Sequence, residues 1–314
     1  MKLIAALLLS CVSAAAQAQS WPTKPVRVVV AFAPGGSLDF VTRIVAERLS
    51  PDLGQQFVVE NRAGANGNVG AEYVARQAAD GYVVLASADA LVSSAHVYKL
   101  GYDALKDLTP VVQFTRQPLV LAVHPSLGVS SVAELIAEAK KNPGLGYATS
   151  GSGSGQHMVG ERLARLAGIN LTHVPYKGGG QAITDLVGGQ VKIGSLGSTP
   201  VMPHYKAGRL KIIAQTTAKR APSLPEVPTY QEQGLAIDLD QWLGFLVPAG
   251  TPADVVRRLN AATAKVLAVP AVQERLAPQG LEVASGSPEE FARLYRSDYE
   301  KYARLVKELG IRAD

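Results

Sequence analysis

The chain has 314 residues, 47% of them hydrophobic, a single cysteine (Cys11) and a formal net charge of +5. That composition excludes a disordered polar chain and a disulfide-stapled scaffold. The basic residues are scattered rather than gathered into one stretch, which argues against a nucleic-acid binder.

At the N-terminus, Lys2 supplies a positive n-region, Leu3 to Leu9 an apolar h-region, and Ala16-Gln17-Ala18 a small-x-small cleavage site. Residues 1–18 therefore read as a secretory signal peptide, since the apolar run is too short to span a bilayer. Leu8-Leu9-Ser10 ahead of Cys11 offers a lipoprotein signal as the alternative, although only ten residues precede that cysteine. Cleavage after Ala18 removes Lys2 and Cys11 and leaves a net charge of +4. The mature chain, expected to be soluble and periplasmic, must then be held together by its core alone. At about 295 residues it is longer than one core usually wants, so two lobes are expected.

Short β-branched runs then alternate with amphipathic stretches. Val26 to Phe32 reads as a buried strand, Leu38 to Leu49 as a helix with Leu38, Val41, Ile44, Val45 and Leu49 on one face, and Phe57 to Val59 as a second strand. A helix over residues 69–78 and a strand at Tyr82 to Leu85 complete a βαβαβ order, the signature of a doubly wound parallel sheet. The pattern restarts after Pro125. Ser131 and Glu134 suggest a capped helix start, followed by a strand at 146–148, a helix at 156–167, and a strand at 172–174. A helix at 182–187 and strands at 191–193 and 211–214 follow. Strand Trp242 to Val247 returns the chain to the first lobe, and from Pro252 onward helix dominates. The expected division is 19–123 plus 247–314 for lobe one and 124–246 for lobe two, with a cleft beyond the carboxyl ends of both sheets.

Four small-residue loops end strands that should face that cleft. In Phe32-Ala33-Pro34-Gly35-Gly36-Ser37-Leu38-Asp39, glycines and a helix N-terminus can present N–H donors to an anion, or simply form an ordinary capped turn. In Thr149-Ser150-Gly151-Ser152-Gly153-Ser154-Gly155 the small residues either form an anion-binding nest or act as flexible linker. Leu85 to Ala90, with Ser87 and Asp89, and Ile193 to Ser198, with Ser195, Leu196 and Gly197, are the other two.

Signatures of catalysis are lacking. No P-loop is present, and His96, His124, His157, His173 and His204 form no metal-ligand spacing. No spacing selects a Ser/His/Asp triad, which leaves a periplasmic serine hydrolase as a weak rival. Glu60-Asn61-Arg62 fits a structural ion pair near a turn, and Glu289-Glu290 suits a helix start after Pro288.

From Trp21 to nearly the end, the chain resembles the periplasmic receptors of the tripartite tricarboxylate transporter family, often called Bug proteins. The carriers are residues 32–39, Val59-Glu60-Asn61-Arg62-Ala63-Gly64-Ala65-Asn66-Gly67-Asn68, Ala79-Asp80-Gly81-Tyr82, His173 to Gly179, Leu186 to Gln190, Pro203 to Gly208 and Val247 to Pro252. The resemblance implies a two-lobed periplasmic-binding-protein fold of the Venus-flytrap, type II-like kind, each lobe a mostly parallel α/β sheet flanked by helices. It implies a small organic carboxylate held by amides, hydroxyls and water rather than by arginine. It implies no cofactor or metal, a membrane permease as partner, and a monomeric receptor that is not an enzyme. The binders carried over by position are Gly35, Gly36, Ser37, Asp39, Ser87, Asp89, Ser150, Gly151, Ser152, Gly153, His157, Ser195, Leu196 and Gly197. Leu196 stands where many members carry a polar residue, which leans the expectation towards a non-amino, partly apolar acid. Asp89 either faces the ligand, which would then need a donor or a cation, or points away from it. A receptor of the same fold that feeds a sensor kinase is the alternative output.

Overall fold

The computed structural model describes residues 21–312. The expected signal peptide, with Lys2, Cys11 and the Ala16-Gln17-Ala18 site, lies outside them.

The first half-sheet grows from three apolar strands: β1 (Val26–Val30), β2 (Phe57–Asn61) and β3 (Val83–Ala88). They pair in parallel in the order β2-β1-β3, joined by α1 (Ser37–Leu53) and α2 (Asn68–Ala75), with a short α3 (Ala90–Ser94) after β3. β1 and β3 are buried almost throughout, as parallel strands covered on both faces must be.

The chain then enters a 16-residue strand, β4 (Leu108–Val123), which belongs to two sheets. From Leu108 to Pro118 it runs antiparallel to β9 (Asp240–Pro248), and β9 in turn is antiparallel to β3. From Leu119 to Val123 it pairs instead with β7 (Ile193–Gly197) on one edge and β8 (Lys211–Gln215) on the other. The second sheet is completed by β5 (Leu145–Thr149) and β6 (Leu171–Pro175), which run parallel with β7 in the order β7-β5-β6. Its helices are α4 (Val132–Lys141), α5 (Gly155–Ala167), α6 (Gly179–Val187) and α7 (Ser198–Lys206). Each sheet is thus mixed: three parallel strands extended by strands that must run out to the other lobe and back.

The sheet-to-sheet passage falls at Pro118, ahead of the expected boundary after 123. All of β9 pairs within the first sheet, so the return passage precedes Asp240 rather than following 246. The first difference follows from the unanticipated length of β4, and the second from the pairing of β9 with β4 and β3 from Asp240 onward. Pro110 and Pro118, with Gln113, Arg116 and Gln117 between them, interrupt the hydrophobic pattern of β4. Pro110 is accommodated at a register shift and Pro118 at the change of partner, where a missing N–H costs least. Phe114 and Phe245, fully buried with ring centroids 4.3 Å apart at 83°, fasten β4 to β9 just inside the passage.

Alternation along β4 divides the second lobe's core. Val120 and Ala122 pack with Ala182, Leu186, Val201 and Met202 under α6 and α7, while Leu119, Leu121 and Val123 face the larger core continuous with lobe one. The tail forms α8 (Ala253–Leu267), α9 (Pro270–Leu276), a two-residue β10 (Glu282–Val283) on β4, and α10 (Pro288–Leu309). Ser287 and Glu290 close a capping box at the start of α10. This helix lays Phe291, Tyr295 and Tyr302 into the core.

Candidate functional site

The carboxyl ends of both sheets open onto one interlobe cavity. Its walls are Phe32, Ala33, Gly36, Ser37, Leu38 and Asp39 from the β1–α1 junction, Ala88 from β3, and Gln241 and Leu243 from β9. Across from them stand Ser150, Gln156, Gly179, Gly197 and Pro200. The N-terminal turns of four helices therefore meet here: α1 at Gly36 and Ser37, α5 at Gln156, α6 at Gly179 and α7 next to Gly197. Each turn carries N–H groups with no intrahelical acceptor and the positive end of a helix dipole. No lysine or arginine lines the cavity among the described residues. Phe32, Leu38, Leu243 and Pro200 give it apolar sides. Such a site favours a compact anion with an apolar body, held by neutral donors.

The cavity measures about 30 Å³, room for a water or two, because the lobes meet on both flanks of it. On one flank the Ala33 N–H donates to Lys177 O at 3.1 Å. A Cβ on Gly180 would stand 2.1 Å from Pro34 O, so only glycine permits that approach. On the other flank Ser93 Oγ donates to Gly153 O at 2.6 Å and Tyr98 OH to Ser152 O at 3.1 Å.

The expected residues divide accordingly. Gly36, Ser37, Asp39, Ser150 and Gly197 line the cavity. Gly35 lies just outside it, in a groove between α1 and α7. The Asp39 carboxylate is turned back into its own loop, accepting from the Gly35 N–H (3.2 Å), Arg43 Nε (3.0 Å) and Asn61 Nδ2 (2.9 Å). Burial pushes this carboxyl up, but the hydrogen bonds from Arg43, Asn61 and Gly35 outweigh it and hold it below the usual range. Asn61 also donates to Phe32 O, so it braces the first loop from behind. Its neighbours Glu60 and Arg62 pair at 2.9 Å, as a structural ion pair would.

Gly151, Ser152 and Gly153 are spent on lobe-to-lobe contact rather than on the cavity. Gly153 has φ +76°, and a Cβ there would lie 2.9 Å from Val97; its N–H is taken by His157 Nδ1 at 3.0 Å. His157 stacks on His173 (3.7 Å between centroids, 8° between planes) behind that loop, and His173 Nε2 lies 2.7 Å from Thr149 Oγ1. Burial, with His157 beside it, pushes the His173 imidazole down to about 3. Ser87 is buried in β3 opposite Gly244 and is not among the walls.

Two expectations about β7 are corrected by its alternation. Ser195 turns to α5 and donates to Gln156 O at 2.8 Å. Leu196, fully buried, joins Val120, Leu186 and Val201 in the second core. It does not face the cavity, and the lean towards an apolar acid that rested on it loses its support.

Asp89 points away from the cavity. It is fully buried beside Gly155, accepts from Gln241 Nε2 at 3.0 Å, and is bonded by the Tyr302 hydroxyl. Burial pushes this carboxyl up to about 6, with the Tyr302 and Gln241 hydrogen bonds opposing the rise. The chain of bonds continues across the hinge strands. Gln117 Nε2 donates to Gln241 Oε1 at 2.7 Å, and Gln117 Oε1 accepts from Thr199 Oγ1 at 3.0 Å and Ser198 Oγ at 3.2 Å. Asp89 thereby fixes which way the amide of Gln241, a cavity wall, is turned. Gln117, Gln156, Gly179 and Gln241 were not anticipated. Gly179 lies in a quoted motif, but the glutamines carry no local sequence signal.

The sequence pattern of the tripartite tricarboxylate transporter family receptor matches residues 41–311. The chain belongs to that family. Among solved structures, it is 36% identical to the R. palustris protein Rpa4515 with adipate, at a TM-score of 0.90 over 93% of this chain and 99% of that one. It is 33% identical to the periplasmic binding protein BugD, at a TM-score of 0.90 over 94% and 100%. It is 31% identical to MatC from Rhodopseudomonas palustris with bound malate, at a TM-score of 0.86 over 91% and 100%. The protein is a periplasmic solute-binding receptor of the tripartite tricarboxylate family with the two-lobed fold. Among its described residues no helix is long and apolar enough to cross a membrane.

Proposed function

We propose that this receptor captures a small organic acid with at least one free carboxylate in the interlobe cavity and hands it to a tripartite tricarboxylate-type permease. The observation that carries the reading is the meeting of four helix N-termini around a cavity without a cation. First-turn N–H groups of α1, α5, α6 and α7, beyond those that Ser154 Oγ takes from His157 and Gln117 Oε1 from Thr199, supply charge-assisted hydrogen bonds, each worth roughly 1.5–3 kcal/mol when desolvated. Adipate and malate in the two related structures carry this chemistry, and the apolar sides from Phe32, Leu38 and Leu243 suit the methylene body of such an acid.

Entry requires the lobes to part, since 30 Å³ does not admit an organic acid. The passages at Pro118 and ahead of Asp240 are the hinge, and the two flanking contacts, Ala33 with Lys177 and Ser93 with Gly153, break and remake as it moves.

A thermal-shift panel tests the reading, using the chain from Gln19 onward with C4 to C6 dicarboxylates, their neutral diamides, and amino acids. Stabilisation by the acids and not by the diamides is expected; stabilisation by diamides or sugars alone overturns it.

A further inference from the structure

A second cavity, of about 270 Å³, lies on the other side of the lobe junction, where α5 of the second lobe meets α10 and residues 237–239. Its floor is apolar: Met158, Val159, Ile237 and Leu239 are buried, and Leu305 is half-buried. Its rim carries Arg162, Lys301 and Arg304 against Asp238 and Glu308, a net excess of one positive charge. None of the three cations has an ion-pair partner within 4.0 Å among the described residues. Burial pushes the carboxyls of Asp89, Asp240 and Asp298 up, and Lys301, acting at longer range, opposes that rise. The Nε–H of Arg162 is shielded from solvent and has no acceptor.

We infer that this groove is a second ligand site, distinct from the carboxylate cleft, and that it takes a small amphipathic organic anion. The anionic head faces the guanidinium groups of Arg162 and Arg304 and the Lys301 ammonium, while a flat or short-chain apolar body covers Met158, Ile237, Leu239 and Leu305. The chemistry is opposite to that of the cleft, which encloses its ligand with neutral donors and no cation. The volume sits near the lower end of small-molecule pockets, about 300–1,000 Å³. That size favours a head attached to one or two rings over an extended chain. Because its walls come from both lobes, an occupant fastens α5 to α10.

The test uses naphthalene-2-sulfonate as the probe, with naphthalene-2-methanol and 2-naphthylmethylammonium as neutral and cationic counterparts. Titration by fluorescence of the chain from Gln19 onward is expected to rank the sulfonate above both counterparts. Arg162→Ala should weaken the sulfonate about tenfold or more, the loss of one charge-assisted hydrogen bond, and Leu305→Glu should weaken it by charge and lost apolar contact. Melting temperatures of both variants confirm that they fold, and a crystal soaked with the sulfonate locates it. Equal affinity for the three probes, unchanged binding by both variants, or density only in the interlobe cleft would overturn the inference.

Discussion

The β1–α1 loop and the β5–α5 loop look alike as sequence: both are runs of glycine and serine between a parallel strand and a helix. The structure uses them in opposite ways. The first holds Gly36 and Ser37 open at the cavity wall, and its one acid, Asp39, is bound up by Arg43, Asn61 and the Gly35 N–H so that the loop keeps its shape. The second gives its carbonyls to Ser93 and Tyr98 of the other lobe, and its Gly153 N–H to His157. Only Ser150 and the following helix start at Gln156 reach the cavity. Small residues at a strand-to-helix junction thus permit close approach, and what approaches, a ligand or the opposite lobe, is decided by the partners across the gap.

Substitutions separate the two uses. Gly36→Leu carries the largest expected effect. Gly36 has φ −86°, which any residue adopts, so the fold tolerates the change, but the side chain fills the cavity. Affinity for adipate or malate, measured by titration calorimetry, should fall on the order of a hundredfold or more, as when two charge-assisted hydrogen bonds are lost. Ser37→Ala removes one hydroxyl from the same wall and should cost about tenfold, again for acids specifically. Retained affinity in both variants would mean that the first loop is only a capped turn.

Asp89 makes a pH prediction. Its folded pKa of about 6 lies above the ordinary carboxyl value, so the native state binds its proton more tightly than the unfolded chain. Its contribution to stability is therefore fully present below the unfolded pKa and is lost as pH rises through 6. Relative to Asp89→Asn, the wild type should gain about 1 kcal/mol in denaturant unfolding between pH 8 and pH 5. A difference that is flat with pH would show that the carboxyl is not raised. The smallest effect belongs to the second loop: Ser93→Ala should speed ligand release roughly threefold to tenfold, alike for every acid that binds, as stopped-flow dissociation would record. A change confined to one acid would place Ser93 in ligand chemistry instead of lobe contact.

The βαβαβ order, both lobes and the position of the loops were legible because apolar runs and glycines are local signals. β4 was not, since Pro110 and Pro118 and the polar residues between them break its pattern, and its length is decided by which strands lie beside it. Within the site, Gly36, Ser37, Ser150 and Gly197 could be read from their place at strand ends. Leu196 could not be placed, because a single step along β7 separates the core face from the cavity end, and the expected strand began two residues early. Gln117 and Gln241 form one hydrogen bond across 124 residues of sequence. No local pattern announces such a pair; strand register alone brings them opposite each other.

We propose that a carboxylate is recognised here by helix N-termini without a cation. Titration calorimetry of the chain from Gln19 onward with adipate and with adipamide isolates that claim, since the two differ in charge and hardly in shape. Binding of adipate with adipamide weaker by on the order of a hundredfold or more is the predicted result. Equal binding of the two, or preference for the amide, would contradict it.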